Sequence, residues 1–225
     1  MSAPVAPDPA EVAARAERVR QRIADAGGDP SVVVLLAVTK GFGPEVAEAA
    51  AAAGLVDLGE NYAQELVAKA PVLAEHHLEV RWHVIGRLQR NKVRQLAPHV
   101  HLWQSVDRVE LGAEIARRAP GARVLVQVNV SDEPQKGGCA PGEVDRTVAE
   151  LADLGLDVQG LMTVGRTGDP ADARAGFEQL VALADRLALP IRSMGMSGDL
   201  EQAVAAGSTM VRVGAALFGP RPVRP

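Results

Sequence analysis

The chain has 225 residues, 47% hydrophobic and 23% charged, with a formal net charge of −4 and only 3% aromatics. That length suits one α/β domain with a large core, and an acidic, aromatic-poor chain argues against a nucleic-acid surface. One cysteine, Cys139, excludes an internal disulfide framework and fits a reducing compartment.

Residues 1–9 read as a loose tail with no apolar core of a secretory signal. From Ala10 to Ala26, Val12, Ala16, Val19 and Ile23 share one helical stripe, ended by Gly27-Gly28-Asp29-Pro30. The apolar run Val32 to Val38 then reads as a strand buried on both faces, stopping at Thr39-Lys40-Gly41. It is too short to cross a bilayer, so a soluble cytoplasmic protein without membrane contact is expected. Pro44 opens a helix to about Ala53. Leu55 to Gly59 is a second strand. Asn61 reads as the cap of the next helix, with Gln64 at capping-box spacing.

Val80 to Ile85 is the third strand, Asn91 to Leu96 a short basic helix, and His99 to Val106 the fourth strand. Asp107 is expected to cap a helix that turns Leu111 and Ile115 inward. Ala122 to Asn129 is a fifth strand, and the polar, glycine-rich residues 131–142 a loop. Val144, Val148 and Leu151 stripe the following helix, and Leu156 to Met162 is the sixth strand. Phe177, Leu180, Val181, Ala184 and Leu187 stripe a longer helix. Pro190 to Ser193 is the seventh strand, Asp199 to Ala206 a helix, and Thr209 to Val213 the eighth strand. Strict strand–helix alternation implies a parallel sheet. Eight units without a linker imply a single (β/α)8 TIM barrel over residues 10–225, with an extra N-terminal helix closing the ring. An open doubly wound sheet is the alternative, but Lys40-Gly41-Phe42-Gly43-Pro44-Glu45 lacks the third glycine of a dinucleotide turn.

A barrel carries its chemistry at the strand C-termini, with phosphate often held after strands seven and eight. The chain offers Ser197 between glycines after strand seven, and Gly214 with Ala215 after strand eight. Lys40 ends the first strand. In a dry site beside another cation its amine would be neutral and able to attack a carbonyl. A ligand bearing both an aldehyde and a phosphate is pyridoxal 5′-phosphate. Arg212 shares the strand face of Gly214. Beside the cofactor it would donate to the pyridine nitrogen and keep it unprotonated, which weakens the electron sink.

Other residues read as structural. His83 is a core or supporting histidine. His76-His77 lacks further ligands at metal spacing, so no metal is expected. Cys139 has no partner for chemistry, and Arg87, Arg90, Lys92 and Arg94 form a solvated basic face or, less favoured, a partner site.

Seven segments then carry a resemblance: Leu36 to Lys40, Gly59 to Glu65, Trp82 to Lys92, Gln127 to Ser131, Gly160 to Thr163, Ser193 to Ser197, and Gly207 to Gly214. In this order the chain resembles the YggS/PROSC family of pyridoxal phosphate homeostasis proteins, from about residue 10 to 219. The resemblance implies a fold-type III barrel like the N-terminal domain of alanine racemase, with Lys40 as the cofactor lysine. It also implies Arg212 at the pyridine nitrogen, Ser197, Gly214 and Ala215 at the phosphate, and Asn61 near the ring. Ala215 stands where a threonine is common, which leaves the phosphate one hydroxyl short. Gly198 precedes Asp199 where an acidic residue is frequent.

Two functions follow. One is a cofactor carrier or regulator, holding pyridoxal phosphate by a reversible Schiff base at Lys40 and serving pyridoxal-dependent apoenzymes. The other is an amino-acid racemase, which needs a second base. The racemases that it resembles take a tyrosine from an added β-domain; here the chain ends at Pro225 and its only tyrosine, Tyr62, follows strand two. The non-catalytic carrier is favoured, as a monomer.

Overall fold

Alternation along one apolar run decides which residues face the helices and which face the barrel lumen. The computed structural model describes residues 7–221. In β1 (Val34–Val38), Leu35 and Ala37 join the large core between sheet and helices. Leu36 joins Leu102, Leu125, Met162 and Met210 in a smaller core inside the barrel. A strand with apolar residues on both faces can only sit between two packed layers.

The chain continues as α2 (Pro44–Ala52), β2 (Asp57–Glu60), α3 (Ala63–Glu75), β3 (Arg81–Val84), α4 (Val93–Leu96), β4 (Val100–Val106), α5 (Val109–Arg118) and β5 (Arg123–Gln127). Then come α6 (Val144–Asp153), β6 (Asp157–Met162), α7 (Arg174–Arg186), β7 (Ile191–Ser193), α8 (Leu200–Ala206), β8 (Met210–Val213) and α9 (Ala215–Phe218). The strands close in sequence order into a parallel barrel of eight. The seam joins β1 to β8 with Leu36 opposite Arg212. This is the (β/α)8 barrel that the strand–helix alternation implies.

Among the described residues, the helix that follows β8, α9, is only four residues long. The N-terminal helix α1 (Pro9–Asp25) stands in the outer ring there and packs on α2, α8 and α9. Its stripe of Val12, Ala16, Val19 and Ile23 is fully buried. Asp8 caps it by accepting a hydrogen bond from the Ala10 amide at 2.9 Å, so the helix begins one residue ahead of Ala10. Residues 1–6 of the expected tail lie outside the described residues. Among the described residues no helix is long and apolar enough to cross a membrane.

Some local expectations are corrected. Val32 is 65% exposed, because the amides of Val32 and Val33 turn back to the Asp29 carbonyl and β1 starts only at Val34. Asp107 does not cap α5. Arg108 is the cap residue, and the Asp107 carboxylate pairs with the Arg108 guanidinium instead. The loop 131–142 contains two 3-10 turns, Pro134–Lys136 and Pro141–Glu143, and pairs with Val128 through Cys139.

A truncation inside α1 tests whether it belongs to the barrel. Ile23→Ala is expected to lower unfolding free energy by about 3 kcal/mol in urea titration. An unchanged midpoint would show that α1 is not part of the cooperative unit.

Candidate cofactor site

Val38 sits on the lumen face of β1, and two residues later Lys40 faces the same way at the C-terminal mouth of the barrel. Lys40 lines a cavity of about 510 Å³, within the usual size of small-molecule sites. Apolar walls come from Val38, Phe42, Ile85, Val164 and Met196. The charged residues lining it are Lys40, Arg87, Lys136, Arg212 and Arg221, all cations, with no carboxylate among them.

Lys40 has no hydrogen-bond or ion-pair partner among the described residues. Burial holds its pKa below the ordinary amine value, and the charges of Arg221 and Arg212 push the same way; Glu60 opposes them. Removing an ammonium from water and setting two cations near it both favour the neutral amine. Such an amine is a nucleophile toward carbonyl carbon.

A second lysine, Lys69, is treated in the opposite way. It is 2% exposed on α3 and gives one hydrogen bond to Glu60 at 2.5 Å and another to the Thr39 carbonyl at 2.8 Å. The Thr39 hydroxyl also donates to Glu60, at 2.6 Å, and Glu65 accepts from the Gly41 amide at 2.7 Å. The residues on both sides of Lys40 are therefore pinned: Thr39 by buried Glu60 and Lys69, and Gly41 by half-buried Glu65. Burial raises the Glu60 pKa even against the pull of Lys69 and Thr39.

Arg212 is fully inside β8 and 5% exposed. Its Nη1 donates to the Ser193 carbonyl at 2.7 Å and to Ser193 Oγ at 2.9 Å, and its Nη2 to the Thr163 carbonyl at 2.6 Å. Three of the five N–H groups of a guanidinium are thus held by β6–β7 residues. Burial lowers its pKa to about 10, which leaves it charged at neutral pH.

The phosphate candidates converge on the same mouth: Ser197, Gly214 and Ala215 all line the cavity. Gly214 precedes the single turn of α9. A Cβ there would stand 3.1 Å from the Val38 carbonyl, so a side chain would crowd the seam beneath the mouth. The Ser197 loop is tied to α1, because Arg22 donates to the Ser197 carbonyl at 3.0 Å while clasping Glu201.

Asn61 is not the cap of α3. Tyr62 holds that position without a side-chain cap bond. A Cβ on Gly86 would fall 2.3 Å from the Asn61 carbonyl, so β3 and the Asn61 backbone are in close contact and the helix starts only afterwards. Asn61 is instead a cavity-lining residue whose Oδ1 is buried without a hydrogen-bond partner. A buried acceptor left open beside a cavity is the mark of an absent donor.

His83 is a buried supporting residue, bonded to Asp57 and Gln104. Cys139 is buried, and that burial pushes its thiol up to about 11, far from a reactive thiolate. Sequence reasoning missed Lys136, Arg221 and the walls Phe42, Ile85 and Val164. It also missed the buried Glu60–Lys69 pair, whose only signal is a charged residue on an otherwise apolar helical stripe.

The family model described as alanine racemase, N-terminal domain, matches residues 8–222. A protein of Pseudomonas aeruginosa named Pyridoxal phosphate homeostasis protein is 41% identical over 218 residues, covering 93% of this chain and 94% of that one. The chain belongs to that family. Among solved structures, an unknown protein from Bifidobacterium adolescentis is 36% identical with a TM-score of 0.85, covering 95% of this chain and 99% of that one. PipY of Synechococcus elongatus, in a structure with pyridoxal phosphate bound, is 32% identical with a TM-score of 0.78, covering 89% of this chain and 100% of that one. The family resemblance and the barrel thus agree along nearly the whole described chain.

Lys69→Met tests the clamp around Lys40. Without the ammonium, Glu60 keeps a buried charge, at an expected cost of about 3–5 kcal/mol near pH 8. The Glu60 pKa is raised above its ordinary 4.5, so the folded state holds its proton to higher pH than the unfolded state. Stability from that group is full below 4.5 and is lost as pH rises through the folded value. The variant should therefore lose less at pH 5 than at pH 8 in urea titrations. An equal loss at both would contradict the assignment.

Proposed function

We propose that this protein binds pyridoxal 5′-phosphate covalently through Lys40 and acts in intracellular homeostasis of that cofactor, as carrier or regulator. The observation that carries the reading is an unpaired, desolvated lysine at the mouth of a cavity with several other cations and no acid in its lining. Residues 10–225 are read as one cofactor-binding domain, with residues 1–9 preceding it.

The residues present fit the group. When bound, the cofactor supplies an aldehyde carbon open to amines and a phosphate dianion. Lys40 offers an amine whose lowered pKa favours the neutral form that can attack such a carbon. Ser197, Gly214 and Ala215 would hold the phosphate through a hydroxyl and backbone amides, a setting suited to anions. Arg212 stands ready to donate to the ring nitrogen with N–H groups left over from its protein contacts. A guanidinium does not release its proton readily, so the nitrogen stays unprotonated and stabilises carbanions poorly. The open acceptor of Asn61 suits a ring substituent that can donate a hydrogen bond. Val164, Ile85 and Phe42 give the same cavity an apolar wall.

A non-catalytic role is preferred over amino-acid racemisation. Racemisation needs a base on each face of the substrate carbon. Tyr62, the chain's single tyrosine, is 50% exposed and lines a neighbouring groove with Arg87 and Lys92 rather than the Lys40 cavity. Lys136 lines the cavity but is engaged by Glu133 and the Gly165 carbonyl. In this reading the protein is a monomer in the cytoplasm, and its recipients are pyridoxal-dependent apoenzymes.

Incubation with pyridoxal 5′-phosphate, borohydride reduction and peptide mass mapping should place a reduced adduct on Lys40 alone, and Lys40→Ala should carry none. An unmodified Lys40 peptide, or an adduct retained in the variant, would overturn the reading. Turnover of alanine or another amino acid, lost in Lys40→Ala, would favour the racemase.

A further inference from the structure

A continuous file of buried polar side chains runs through the lumen, from the N-terminal rim of β2 up to Arg212. Arg81, at the rim, donates to both oxygens of Asp57, at 2.7 and 2.5 Å. Asp57 Oδ1 lies 3.0 Å from His83 Nε2, and His83 Nδ1 lies 2.8 Å from Gln104 Nε2. Ser193 Oγ donates to Gln104 Oε1 at 2.7 Å and accepts from Arg212 Nη1 at 2.9 Å. His83, Gln104 and Ser193 are at most 1% exposed. The file thus crosses β3, β4 and β7 between its ends on β2 and β8.

The Gln104 amide sets the direction of the bonds. Its NH2 faces His83 Nδ1 at 2.8 Å and Met210 Sδ at 3.1 Å, and a flipped amide would turn its oxygen against the sulfur. With that NH2 donating, His83 accepts at Nδ1 and carries its proton on Nε2, toward Asp57. His83 and Arg81 draw the Asp57 carboxyl below its ordinary pKa against burial, so its oxygens accept. With Oε1 facing Ser193, the hydroxyl proton goes to Gln104 and the Ser193 lone pair is left for Arg212. Between Arg212 and Asp57 each donor points toward Asp57, which Arg81 meets from the other side. Bonds aligned in one sense polarise and strengthen one another.

We propose that Asp57, His83, Gln104 and Ser193 are positioning residues which fix the guanidinium plane of Arg212 toward the Lys40 cavity, with Asp57 setting the polarity of the file. The aim of Arg212 at the cofactor ring rests on the function proposed above; its restraint by the file does not. None of the four residues except Ser193 touches Arg212, and none lines the cavity. Their effect on the ligand passes through the arginine.

Two readouts test this. In cofactor-free protein labelled with 15N-arginine, the Arg212 Nη protons should exchange slowly in the wild type. They should exchange at least about tenfold faster in Gln104→Met, which preserves volume but removes the hydrogen bonds to His83 and Ser193. Spectrophotometric titration with pyridoxal 5′-phosphate should show about tenfold weaker retention and a displaced absorbance maximum in the same variant, the loss that one unmet buried group produces. Asp57→Asn, isosteric and remote from the cavity, should move both readouts the same way by less, and it carries the test if Gln104→Met fails to fold. Folded variants with wild-type exchange, affinity and spectrum, altered only in melting temperature, would overturn the proposal. Guanidinium exchange that responds while the wild type takes up no cofactor would support the file and refute the cofactor reading instead.

Discussion

The structure depends on one asymmetry between two lysines. Lys69 is buried and donates to Glu60 and the Thr39 carbonyl, with Glu65 3.6 Å away. Lys40, about one helical turn's length of chain beyond Leu36, meets apolar walls and other cations. Burying a cation without a partner is expensive, and an amine escapes the expense by giving up its proton. The first lysine thereby stiffens the turn that carries the second. The second is shifted toward the free amine that covalent chemistry needs.

The barrel makes this arrangement possible by placing opposite requirements on opposite strand faces. Outward residues such as Leu35 and Ala37 only have to pack. Inward residues near the lower and middle lumen divide into an apolar cluster around Leu36 and a polar file ending at Arg212. Arg212 is thus a buried cation whose protein contacts are carbonyls and a hydroxyl, with Asp199 the charge that favours its protonation. A carboxylate in direct contact would have paired with it and left less guanidinium for a ligand. The same interior that holds Arg212 rigid leaves the mouth open to an anion.

Much of this was legible in the residues. Short apolar runs, the bounded valine-rich one first, identified the strands, and the order of elements identified the closed barrel. Lys40, Ser197, Arg212, Gly214 and Ala215 were marked by position at strand ends, and the folded chain brings them to one cavity. Asn61 was misread because asparagine is a common cap type, and local spacing says nothing of the close approach of Gly86. Gln104 sits in a strand beside Trp103 and Ser105, and its partners are 21 and 89 residues away. No local pattern reports a pairing of that kind. Lys136 and Arg221 escaped for the same reason: loop and terminal residues reach the site only through the closure of the whole barrel.

The central claim is that the Lys40 amine is neutral at a pH where ordinary lysines are charged. Competitive acetylation of the cofactor-free protein across a pH series, followed residue by residue with peptide mass spectrometry, measures this directly. The Lys40 midpoint should lie clearly below the ~10.4 of an unperturbed lysine. A Lys40 midpoint equal to or above that value would contradict the claim.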